Sequence, residues 1–148
     1  MRILLLALVT AALGCASPLS PREVRTLGDA ERLWAARNFR DYQFELRRSC
    51  FCPLEFHQWA RVEVASGRVT RVIFVDTGTE VPPAQLSWYP AVEAIFEAIR
   101  AAASNNLVKD VVAEFDQALG FPSVVNVISK PNVQDGDISY HLRNAGPL

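Results

Sequence analysis

In the run DYQFELRRSCFCPLEFH, Cys50 and Cys52 stand one residue apart and His57 follows five residues later. That spacing admits four chemistries: a disulfide, packed thiols, redox exchange or, with the imidazole, a soft-metal site. In an extended strand, residues i and i+2 lie ~6.5–7 Å apart at their Cα atoms. Disulfides span about 4.4–6.8 Å, so a Cys50–Cys52 bridge requires a bend, and Pro53 is the residue expected to impose it. So small a loop contributes little through chain entropy and is comparatively reducible. Such a bridge would fix a strand end or serve redox chemistry; it would not hold a domain together. The metal reading finds only three ligands locally, Cys50, Cys52 and His57, with His141 far away in sequence; structural zinc normally takes four. The first expectation is therefore a structural disulfide with no metal and no cofactor. Thiol-redox or metal handling through Cys50 and Cys52 is the alternative.

Other residues with chemical potential lie in turns. In FDQALGFP, Asp116 can accept hydrogen bonds within a turn, Gly120 supplies a positive φ, and Pro122 suits the start of an edge strand. A catalytic role for Asp116 lacks a second carboxylate or a base placed by the pattern. In KPNVQDGDISY, Asp135 and Asp137 flank Gly136, but the 12-residue series and terminal Glu of an EF-hand are missing. The segment reads as a solvated loop, with Asp137 capping the strand behind it. There is no GxSxG nucleophile turn and no phosphate-cradling Gly loop. No catalytic residue is assigned, and the protein is expected not to be an enzyme.

The elements that must position these residues follow from periodicity. After Asp29, a candidate N-cap, Ala30, Leu33 and Trp34 share a helical face that ends near Asn38. Tyr42, Phe44 and Leu46 then alternate with Gln43, Glu45 and Arg47, the period of a half-buried strand. Continued without a bulge, that parity puts Cys50 and Cys52 on the apolar side. The segment VEVASGRVTRVIFV is a hairpin turning at Ser66-Gly67; it pairs Val64 with Val69 and, if regular, Val62 with Arg71. Residues 76–86 form a Pro-rich connection. Val92, Ile95, Phe96 and Ile99 then mark the clearest helix. Trp34 reads as core, and Trp88, just before that helix, as a staple-like contact. Strands follow around Val111–Phe115, Ser123–Ser129 and Ile138–Leu142. The order α-β-β-β-α-β-β-β predicts an α+β domain, an antiparallel sheet with two helices packed on one face.

The N-terminus reads MRILLLALVTAALGCAS, a basic residue, an apolar run of about 11 residues and Gly14-Cys15. The run is shorter than the ~20 residues of a membrane span. It resembles a bacterial lipoprotein signal, with Ala12 in place of the usual Leu three residues before the cysteine. The expected organisation is a signal peptide at 1–14, a lipidated Cys15 with a flexible tether through residue 28, and a single domain at 29–148. Removing the signal leaves 134 of 148 residues, the size of one domain. It also takes Arg2, moving the net charge from −1 to −2. That balance argues against a nucleic-acid partner. The expected partners are the membrane, through the lipid anchor, and an envelope protein. The expected location is the outer membrane facing the periplasm.

The ordered segments RLWAARNFRDYQFELRRSCFCP, VEVASGRVTRVIF, VEAIFEAI, VVAEFDQALGFPSVVNVI and DGDISYHL together resemble the bacterial domain-of-unknown-function family 6174. The likeness covers roughly residues 30–143 and includes the exported or lipoprotein start, the Tyr-led strand running into Cys-x-Cys, and the acidic turn before the last strands. Phe115 and Phe121 stand where that pattern suggests Tyr. The resemblance implies an exported domain with no assigned activity. With the sequence it leads to a non-enzymatic binding or structural module.

Overall fold

Alternation of apolar and polar residues makes the central strand. Tyr42, Phe44 and Leu46 of β1 (Asp41–Cys50) are buried, while the residues between them are not. The computed structural model describes residues 26–148. The expected signal peptide, Cys15 and all but the end of the expected tether lie outside the described residues. Helix α1 (Leu27–Ala36) precedes β1. It begins earlier than its apolar pattern suggests, because Thr26, and not Asp29, is the N-cap. The Thr26 hydroxyl oxygen accepts from the Asp29 amide at 3.1 Å and the hydroxyl donates to the Asp29 carboxylate at 2.7 Å. Asp29 thus sits in the first turn, where negative charge opposes the exposed amide dipoles favourably.

Strands β2 (Ala60–Ala65) and β3 (Arg68–Phe74) form the expected hairpin. Ser66 and Gly67 both take positive φ, as a type I′ turn demands. Val64 pairs with Val69, but the register then shifts, so that Glu63 faces Arg71 and Val62 faces Val72. The extra residue, Thr70, is a β-bulge. It removes the conflict of a regular register, which would have set Arg71 against Val62. Val72 enters the core, and the Arg71 guanidinium reaches Glu80 at 3.1 Å and Glu63 at 3.7 Å.

After β3 come a 3-10 turn at Pro83–Trp88 and helix α2 (Val92–Ala103), then β4 (Val108–Phe115), β5 (Pro122–Ser129) and β6 (Ile138–Pro147). The strands form one six-stranded antiparallel sheet in the order β3-β2-β1-β6-β5-β4. This is the expected α+β class and element order. The chain leaves β3 at one edge and must re-enter at β4 on the other, ~24 Å away at the usual strand spacing. Helix α2, 12 residues and so ~18 Å long, covers most of that crossing. Its buried Val92, Ile95, Phe96 and Ile99 share one core with Trp34 and the inward residues of β1 and β2. One expectation fails here: Pro122 opens an inner strand, not an edge strand. It is tolerated because it is the first residue of β5, where the β4–β5 register shifts.

Three elements meet at the Tyr42 hydroxyl. Helix α2 has Ala91 at its N-cap, with no side-chain cap of its own. The Tyr42 hydroxyl accepts from the Val92 amide at 3.1 Å and donates to Glu93 at 2.5 Å. The other Glu93 oxygen accepts from the Trp34 indole at 2.8 Å. Burial first, and then the Glu93 hydrogen bond, push the Tyr42 phenol far above its ordinary range, so it remains a donor. Tyr42→Phe leaves the Val92 amide without its acceptor and is expected to lower unfolding free energy by about 1–3 kcal/mol. Glu93→Gln keeps an acceptor for one of the two rings, and its amide can donate to the Tyr42 oxygen, so it should cost less. Urea unfolding of the two variants checks the ranking.

Candidate functional site

The site grows from the end of β1. The strand stops at Cys50, and the Cys52 amide donates to the Cys50 carbonyl at 2.9 Å. This three-residue turn bends the chain at Phe51, two residues ahead of the bend expected from Pro53. It brings the Cys50 and Cys52 Cα atoms to 5.2 Å, and the two sulfurs form a bonded pair. The bend ends the β1 parity before Cys52. It also turns Phe51 outward, 82 % exposed, beside Leu54 at 79 %.

Pro53 then starts a single 3-10 turn, Leu54–His57, that folds back over the pair. His57 Nε2 lies 3.2 Å from the Cys50 carbonyl oxygen and 3.8 Å from Cys52 Sγ. The ligand atoms of Cys50, Cys52 and His57 all fall within 4.8 Å of one another. They border an open depression of about 430 Å³, with Phe51 and Pro53 as its apolar walls.

On the core side of this end, the sequence parity hides a second feature. Arg48 follows Tyr42, Phe44 and Leu46 on the same face of β1, and it pairs with Tyr140 of β6. Its guanidinium lies 4.1 Å from the Phe56 ring centroid and donates to the Trp88 carbonyl at 3.1 Å. The Arg48 Nε atom is buried with no hydrogen-bond partner. Arg48, Pro53, Phe56, Ser87, Trp88, Pro90 and Tyr140 line a cleft of about 580 Å³. Trp88 is 47 % exposed and packs on Phe56 at 5.5 Å, so it forms a wall of the cleft. Burial raises the Tyr140 phenol above its ordinary range against the opposing pull of Arg48, which keeps its proton available for donation.

The opposite face of the same strands is polar and basic. Arg47, Ser49, His57, Ser139 and His141 border a depression of about 350 Å³. Trp59 lies beneath two guanidinium groups, with Arg143 at 3.9 Å and Arg47 at 5.0 Å from its ring. Arg143 also donates to Glu45 at 2.6 Å. His141 is drawn below its ordinary pKa, first by burial and then by Arg47, its cross-strand neighbour.

The turn residues singled out by sequence lie elsewhere and act on structure. Asp116 accepts from the amides of Ala118 at 3.0 Å and Leu119 at 2.7 Å. Gly120 has φ +87° and passes so close to α1 that a Cβ would stand 2.5 Å from the Ala30 carbonyl oxygen. Asp137 does not cap β6 through a local turn; it accepts from the Ser129 amide at 2.7 Å and ties the end of β5 to the loop before β6. Neither carboxylate is joined to the Cys50–Cys52–His57 cluster.

Sequence reasoning found the cysteines and His57 but missed Arg48, the cation partners of Trp59 and the cleft. The signal for Arg48 was present: an arginine on the apolar parity of a strand needs a partner or a ligand. Trp59 carried no local signal, because its cation partners come from β1 and β6, 12 and 84 residues away at Arg47 and Arg143.

The chain belongs to a family of unknown function, DUF6174, whose model matches residues 26–147. No curated protein and no solved structure matches it.

The environment of His141 carries a pH dependence. A histidine held below its ordinary value of 6.5 binds a proton less readily folded than unfolded. Its contribution is therefore complete above that value and is lost as pH falls through the lowered folded pKa. Urea midpoints measured from pH 8 to pH 5 should fall more steeply at the acid end for the parent chain than for His141→Gln.

Proposed function

We propose that this chain is a lipid-anchored, non-enzymatic binding module of the bacterial envelope, and that its ligand is a small carboxylate on an apolar body. The observation that carries the reading is the buried, unpartnered Nε of Arg48 inside the cleft beside Cys50. A buried donor left without an acceptor is costly, and a ligand oxygen would satisfy it. No acidic side chain lines the cleft, and Arg48 has no carboxylate partner among the described residues. A negative ligand would therefore meet complementary charge. Phe56, Trp88, Pro53 and Pro90 supply the apolar walls, and the Tyr140 hydroxyl supplies a second donor. The volume falls in the range usual for small-molecule sites, about 300–1,000 Å³.

The bonded cysteine pair serves this reading as a local staple. It fixes the end of β1 against the segment that carries Pro53 and Phe56, two parts of the cleft wall. The anchor rests on the sequence alone: the basic and apolar start, Gly14-Cys15, and Ala16 behind the cysteine, which lacks the Asp associated with retention at the inner membrane. Lipidation at Cys15 would hold the module on the outer membrane, facing the periplasm.

Two measurements test the two halves of the proposal. In a bacterial host the chain should fractionate with membranes, and Cys15→Ser should shift it to the soluble fraction; a soluble parent chain would remove the anchor. Hydrocinnamate and its amide can be titrated into the full chain while the indole signals are followed by NMR. The carboxylate should bind at least tenfold more tightly than the amide, because a charged hydrogen bond contributes about 1.5–3 kcal/mol. Arg48→Gln should erase that preference, and Trp88→Ala should weaken both probes. Equal binding of acid and amide would refute the Arg48 assignment, and chemical conversion of a bound probe would refute the non-enzymatic reading.

A further inference from the structure

The Cys50–Cys52–His57 cluster contains more than a staple requires. Two thiolates and an imidazole are a soft donor set, and soft thiolate ligands select copper(I), zinc or iron–sulfur clusters. Three donors with no fourth nearby suit an ion that accepts low coordination, and copper(I) does so. Among the described residues no Asp or Glu joins this group.

The distances favour the same ion. Metal–sulfur and metal–nitrogen bonds of about 2.3 and 2.0–2.1 Å place two ligands of one trigonal ion ~3.8 Å apart. Cys52 Sγ and His57 Nε2 already stand 3.8 Å apart. The one rearrangement needed is separation of the Cys50 sulfur from the Cys52 sulfur. The tight turn at Phe51 and the 3-10 turn at Leu54–His57 hold the three backbone positions on one side of a depression open to solvent.

We propose that reduction of the Cys50–Cys52 pair opens a three-coordinate copper(I) site, with Cys50 Sγ, Cys52 Sγ and His57 Nε2 as donors, and that the disulfide is its closed state. The step balances with a dithiol as reductant. The Cys50–Cys52 S–S bond breaks, taking two electrons and two protons from the dithiol, which becomes a disulfide. Binding of copper(I) then releases the two thiol protons to solvent. In the closed state, His57 Nε2 faces the Cys50 carbonyl oxygen at 3.2 Å, so it carries the ring proton and donates it. To bind copper the neutral ring moves that proton to Nδ1 through solvent, which the exposed ring permits. Phe51 and Pro53 wall the site and would lower the local dielectric around the bound ion. This site shares none of the cleft's ligand-binding groups, so copper uptake is read separately from the carboxylate titration.

The test uses the full chain carrying Cys15→Ser, so that only two thiols remain. The protein is prepared oxidised, or reduced with a phosphine that is then removed without oxygen, and copper(I) is supplied in competition with a chromogenic chelator. The reduced chain should take one copper(I) per molecule, and the oxidised chain none. X-ray absorption should show two sulfur neighbours and one nitrogen. Cys50→Ser and Cys52→Ser should each abolish binding. His57→Ala should weaken it at least tenfold while leaving the metal-free melting temperature unchanged, because His57 is exposed. Equal copper uptake by oxidised and reduced protein, one copper shared between two chains, or undiminished affinity in His57→Ala would each overturn the proposal.

Discussion

The Tyr42 hydroxyl is the point on which the packing of this domain depends. A buried phenol must find partners for its hydroxyl, and this one finds two with opposite roles. It accepts from the first amide of α2, where Ala91 offers no cap, and it donates to Glu93 one residue later. Glu93 also takes the proton of the Trp34 indole, so a single carboxylate joins α1, β1 and α2. The arrangement costs little in desolvation, because Glu93 itself stays exposed while both aromatic bodies are buried. Charge at the start of α2 also meets the favourable end of the helix dipole.

With α2 fixed at that end, the sheet topology follows. The first three strands run outward from β1 to an edge, and the last three run inward from the other edge to β6. The β1–β6 pair therefore closes the sheet between segments about 100 residues apart, as in Glu45 against Arg143. That closure sets Arg48 opposite Tyr140 and Arg47 opposite His141. Both faces of the candidate site are thus products of one long-range pairing, and neither exists within β1 alone. Contacts of such sequence separation form only after loop closure, so the site is assembled when the sheet is complete.

This explains which parts were legible in the sequence. Local periodicity identified the two long helices, the Tyr42–Phe44–Leu46 strand face and the Ser66-Gly67 turn, because each reflects neighbours within a few residues. The N-cap was misplaced by competition between two good capping residues, Thr26 and Asp29, which in fact bond to each other. The Thr70 bulge was legible only as a conflict, an arginine set against a valine. The edge assignment for Pro122 failed because strand order is a tertiary property that no local pattern encodes. The cysteine pair and His57 were found by residue type, whereas the cleft required knowing that Trp88 and Tyr140 come to Arg48.

Arg48 breaks the apolar pattern of β1 at the position where the core ends. A leucine there would continue the core, and its absence leaves a half-buried guanidinium over Phe56 with an unsatisfied Nε. Departures from local consistency concentrate at functional positions. The segment from Cys52 to His57 gives this departure a second consequence. Cys52 and His57 belong to the thiol–imidazole cluster, and Pro53 and Phe56, between them, wall the cleft. One short 3-10 turn of backbone thus carries residues of both sites.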